Sequence, residues 1–182
     1  MKILRTLAWV GFIGCIAFYV HQYCNVLDAT GIKLRMLFID FVPPQQGSSI
    51  LHTWLITPYH TGNVLQQAVL NTKVDYLFIV CYVAVMFMLS YHQMQNKTWV
   101  PLNTLLRLNL FLCFITGLLD FVENIILFRN FHHAQFNSDF VSPQWVSWPK
   151  FIIAAWIILI WLISLVTKND TSKTGQLTPA IT

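Results

Sequence analysis

Leu105–Phe128 reads LLRLNLFLCFITGLLDFVENIILF, an apolar run long enough to cross a bilayer. At about 1.5 Å per residue, ~20 helical residues cover ~30 Å of hydrocarbon. Arg107 sits near the start of the run, and Asp120 and Glu123 interrupt its second half. Ionised carboxylates are costly in hydrocarbon, so they are expected to face the protein interior and find partners there. Asp120 and Glu123 stand at i and i+3, on one helix face. That face continues backwards through Thr116, Cys113 and Asn109. A polar stripe on an otherwise apolar helix predicts a face that packs inward or lines a cavity.

Three further apolar runs flank this one, at about residues 4–20, 74–92 and 149–167, with the quoted run set in a helix over about 104–128. Hydrophobic residues make up 56% of the 182, charged residues 10%, and the mean hydropathy is +0.59. A soluble surface needs more charge than that. The expected fold is therefore all-α: a four-transmembrane-helix bundle forming one domain over 1–167, followed by a disordered polar tail over 168–182. The first run is read as a retained helix rather than a signal peptide, because it stays apolar past Cys15 with no small-residue cleavage site after a short core. Gly11 and Cys15 give it a small face for close packing.

The segment over 21–73, between helices 1 and 2, is too long for an empty loop. Leu34, Leu37, Phe38 and Phe41 fall at i, i+3, i+4 and i+7, one face of a helix or of a membrane-surface segment, ended by Pro43-Pro44. Ser48 and Ser49 are candidate caps for a short helix that ends before Pro58. Asn63 is a candidate cap for a helix that meets no breaker before the membrane run. The expectation is a partly helical, amphipathic cap lying on the bundle. Ser147-Trp148-Pro149 reads as the start of the last helix.

The net charge of +4 comes from scattered Lys and Arg, with no basic stripe and no recognition motif, so no nucleic-acid partner is expected. The partner is the lipid bilayer, with a homo-oligomer or another membrane protein as a further possibility. Cys15, Cys24, Cys81 and Cys113 form no CxxC pair, and no HxxxH or ExxH stands on a helix, so neither a disulfide framework, a metal site nor a cofactor is expected. His132-His133 reads as a solvated loop pair. Lys and Arg near the helix ends weakly favour both termini on the cytoplasmic side.

Connectivity makes the bundle asymmetric whichever way it faces. The C-terminal half of helix 3 shares a membrane side with the N-terminal ends of helices 2 and 4. Asp75, Asp120, Glu123, Asn124, Arg129 and Lys150 thus gather near one end, with the long loop on the same side, and Tyr82 two turns beyond Asp75 can line the same cleft. This cluster is the candidate site for a ligand or an ion-pair network. The commoner use of such groups is as polar pins between helices, and these residues would serve for that first. No nucleophile–base pair can be named, so no catalytic residue is assigned.

Thr30-Gly31-Ile32, Trp54, Asp75-Tyr76-Leu77-Phe78-Ile79 with Tyr82, Gly117-Leu118-Leu119-Asp120, Glu123-Asn124 and Lys150-Phe151 together form a pattern. It resembles small uncharacterised bacterial four-helix integral membrane proteins, over most of the chain from Thr30 to Val166. The resemblance implies a bacterial inner-membrane location and supplies no catalytic role. The functional expectation is a binding, sensing or scaffold protein. A small oligomeric transporter or channel subunit, and an intramembrane enzyme acting on a lipid-like substrate, are the alternatives.

Overall fold

A computed structural model describes residues 2–34, 36–97, 99–134 and 140–167. Its elements run α1 (Lys2–Thr30), α2 (Met36–Ile39), α3 (Pro44–Ile56), β1 (Pro58–Tyr59), β2 (Gly62–Asn63), α4 (Val64–Asn96), α5 (Val100–His133) and α6 (Gln144–Val166). Among the described residues the protein is all-α apart from one two-residue antiparallel pairing, and α1, α4, α5 and α6 are each long and apolar enough to cross a membrane. The tail expected over 168–182 lies outside the described residues.

The long helices overrun the apolar stretches that announce them. Polar residues such as His21, Gln22 and Asn25 do not break a helix, so α1 continues past Val20 until Gly31. Gly31 stops it with φ +68°, a left-handed conformation that costs a residue without Cβ little, while its N–H bonds the Leu27 carbonyl at 2.8 Å. Asn63 caps α4 as expected: its side chain accepts from the Gln66 N–H at 3.0 Å, and the helix runs unbroken into the apolar region. α5 extends to His133, so His132 and His133 form its last turn instead of a loop.

Three local expectations fail for identifiable reasons. The segment Leu34–Phe41 yields only the four-residue α2, because Pro43 disfavours helix at Val42 and Pro44 opens a new helix at its first position. Ser48 and Ser49 therefore lie inside α3 and do not cap it. Pro149 lies inside α6, whose start at Gln144 precedes it by more than a turn.

α4 packs against α1 on one side and α5 on the other, and α5 packs against α6. A Cβ on Gly11 would come within 2.5 Å of Cys81 Sγ, so the missing side chain is what lets α1 approach α4. Much of the outer face is apolar and exposed, including Leu7, Val10, Leu77, Val80, Leu118, Ile125, Ile152 and Leu162. One core lies beneath the cap. Trp54, Leu51, Ile39, Val42 and Tyr59 bury themselves against Val26 of α1, Val64, Leu65 and Ala68 of α4, and Leu127 and Phe131 of α5. Ser142 Oγ donates to the Val42 carbonyl at 2.9 Å, and Gln144 Nε2 donates to that of Phe41. These bonds tie the cap to the start of α6 and fix the chain at residues 40–42.

Candidate functional site

The stripe on α5 is buried along its whole length. Asn109 and Cys113 are fully enclosed, and Thr116, Asp120 and Glu123 nearly so. At its far end Asn109 Nδ2 donates to the Ile157 carbonyl of α6 at 3.1 Å, a pin between helices. At its near end it opens into a cavity of about 850 Å³ between α1, α4, α5, α6 and the cap.

Two polar groups form the cavity floor. In the first, the Lys150 ammonium of α6 lies 2.9 Å from Asp120 Oδ1 and also contacts the Glu123 carboxylate. The same ammonium lies 4.7 Å from the centre of the Phe151 ring. In the second, Asp75 of α4 accepts from Tyr19 of α1 at 2.8 Å and from Asn124 of α5 at 2.7 Å. The Tyr82 hydroxyl lies beside Asp120 on the same wall. Six of the seven residues expected to gather therefore do so. Arg129 does not. It is exposed, is absent from the cavity wall and takes part in no ion pair found among the described residues. Six positions of helix turn it about 120° away from Glu123, so sharing a membrane end does not make it share a face.

Sequence reasoning missed Asp40. This residue follows α2 in the cap, is 6% exposed and sits next to Glu123. Burial, and then the neighbouring Glu123 charge, push its carboxyl well above the usual range, against a smaller opposing effect from Lys150. The signal was present in Ile39-Asp40-Phe41-Val42, a lone acid in an apolar stretch. The warrant that singled out Asp120 applies to it equally. Tyr19 and Asn71 were missed as well. Asn71 is buried on the cavity wall, and its side-chain oxygen has no partner.

Above this floor the walls are aromatic and aliphatic. Phe78 stands at the centre of a ring cluster, 5.4 Å from Phe12, 5.6 Å from Tyr19 and 5.3 Å from Tyr82 between centroids. Val20, Leu37, Phe38, Phe151 and Ile158 line the cavity and are also exposed, so its rim is continuous with the apolar outer surface. A second hollow of about 930 Å³ lies elsewhere on α4 and α5, and no carboxylate lines it. Chemistry, and not size, therefore distinguishes the first. No group of three or more His, Cys, Asp or Glu among the described residues is placed to hold a metal ion.

No protein-family model, curated protein or solved structure matches the chain. The functional reading rests on the geometry alone.

Proposed function

We propose that the chain is a four-helix bundle spanning a bacterial inner membrane, and that it binds an amphiphile drawn from the bilayer in the cavity beneath the cap. Both termini are cytoplasmic in this reading, which puts the acidic end on the extracytoplasmic side. The role is binding or sensing, without turnover. One observation carries the proposal: a cavity large enough for part of a lipid-sized molecule has charged and amide side chains on its floor and an exposed apolar rim. Polar residues that only pin helices together have no need of such a space. Ligand sites combine apolar walls with a few convergent polar groups, and this cavity has that composition.

The test uses a single-chain amphiphile carrying a diazirine near its terminal methyl, photolysed in membranes containing the protein. Cross-links are expected on residues of the cavity wall such as Phe78, Met86 and Ile158, and Ala154→Trp, which puts an indole into the cavity, is expected to weaken them. Labelling spread evenly over the outer helix faces and indifferent to Ala154→Trp would refute the proposal.

A further inference from the structure

The cavity floor is unbalanced in charge. Asp40, Asp75, Asp120 and Glu123 line it, and Lys150 is the one cationic side chain among its described lining residues. Even with Asp40 uncharged beside Glu123, the three carboxylates of Asp75, Asp120 and Glu123 against one ammonium leave two negative charges in excess, in a place where solvation by water is restricted. Two of the carboxylates share Lys150, and Asp75 is satisfied by neutral donors.

A second observation is independent of this count. On the cavity wall the buried Asn71 Oδ1, in a residue 3% exposed, is left without a partner among the described residues. An amide oxygen can only accept hydrogen bonds. Buried acceptors are normally satisfied, so an occupant of this site has to bring donors. Above it stand the rings of Tyr19, Phe78 and Tyr82, whose faces attract cations.

We propose, building on the amphiphile-binding reading above, that the occupant's polar head is a protonated amine bearing N–H donors, seated at Asn71 over the acidic floor with its alkyl portion among the aromatic walls. An anionic head is repelled by the floor. A neutral hydroxyl head supplies a donor but leaves the excess charge in place. A quaternary ammonium supplies charge but no donor. A protonated amine with N–H donors meets both requirements.

The experiment compares four twelve-carbon amphiphiles, dodecylamine, dodecyltrimethylammonium, dodecanol and dodecyl sulfate. Saturable binding to the protein in zwitterionic nanodiscs is measured at pH 7, with empty nanodiscs as the background from partition into lipid and the Ala154→Trp protein as the variant with an obstructed cavity. Dodecylamine is expected to bind about tenfold or more tighter than dodecanol, with the trimethylammonium between them and the sulfate weakest. Asn71→Leu removes the unpartnered acceptor without altering charge and is expected to bring amine and alcohol within about threefold of each other. Asp75→Asn, which removes one of the excess charges, is a second variant expected to weaken the amine, should Asn71→Leu not fold. Equal binding of alcohol and amine, or tightest binding of the sulfate, overturns the amine assignment and leaves the binding cavity standing. Absence of saturable binding by all four, with Ala154→Trp indistinguishable from wild type, overturns both.

Discussion

Replacing Lys150 with Met exposes how the acidic floor is held together. The Lys150 side chain is about nine-tenths buried, as are those of Asp120 and Glu123, and its ammonium serves both carboxylates. Met matches the stem in volume, so the loss is chiefly one of charge. Two carboxylates one helical turn apart then face each other without a counter-ion, and removing one member of a buried pair costs about 3–5 kcal/mol. For a domain of this size each kcal/mol moves Tm by about 2–4 °C, so the drop should be roughly 6–20 °C. The triple variant Lys150→Met/Asp120→Asn/Glu123→Gln removes the charges together and should recover most of that loss, because it leaves no ion unpaired. Thermal melting in nanodiscs, followed by intrinsic fluorescence, reads both variants. If Lys150→Met melts like the wild type, the ion group is not desolvated as described. If the triple variant is as unstable as the single one, Lys150 acts through packing and the electrostatic argument fails.

Tyr19→Phe deletes the hydroxyl that donates to Asp75 and should cost about 1.5–3 kcal/mol, the range for hydrogen bonds to charged groups. A double-mutant cycle with Asp75→Asn that shows no coupling would contradict this. Asp40 holds its proton more tightly folded than unfolded, so its contribution to stability is greatest in acid. That contribution declines as pH rises from the ordinary carboxyl value of about 4 towards the raised folded value. Asp40→Asn should therefore flatten the fall of Tm with pH over that interval, and an unchanged profile would refute the assignment. Gly11→Leu drives a side chain into Cys81 and should cost about 1–3 kcal/mol by forcing α1 away from α4, whereas a melting temperature unchanged from wild type would show that the helices do not meet there.

The inward face of α5 was legible because helical periodicity alone relates Asn109, Cys113, Thr116, Asp120 and Glu123. Connectivity then sufficed to bring Asp75 to Asn124 and Lys150 to Asp120, since antiparallel helices joined by short links must place those ends together. It did not suffice for Arg129, because a shared end says nothing about rotation about the helix axis. The cap was the least legible part. Its apolar spacing suggested one helix over Leu34–Phe41, but the proline pair divides the segment, and only tertiary bonds from Ser142 and Gln144 set the chain at Phe41 and Val42. Asp40 owes its place beside Glu123 to those long-range contacts, which no local pattern encodes. Helix ends were set by capping at Asn63 and Gly31, and not by the limits of the apolar runs.

Access from the outer surface to the acidic end tests the account most directly. In a Cys24→Ser background, which removes the exposed thiol, single cysteines at Ala154 and Ile157 report on two positions of α6 less than a turn apart. Ala154 lies on the cavity wall, whereas Ile157 is 1% exposed and packed in the core. A membrane-permeant maleimide should modify Ala154→Cys and leave Ile157→Cys intact, and dodecylamine should protect the former. Equal resistance at both positions would mean a closed, dry interior, and the acidic residues would then be pins between helices.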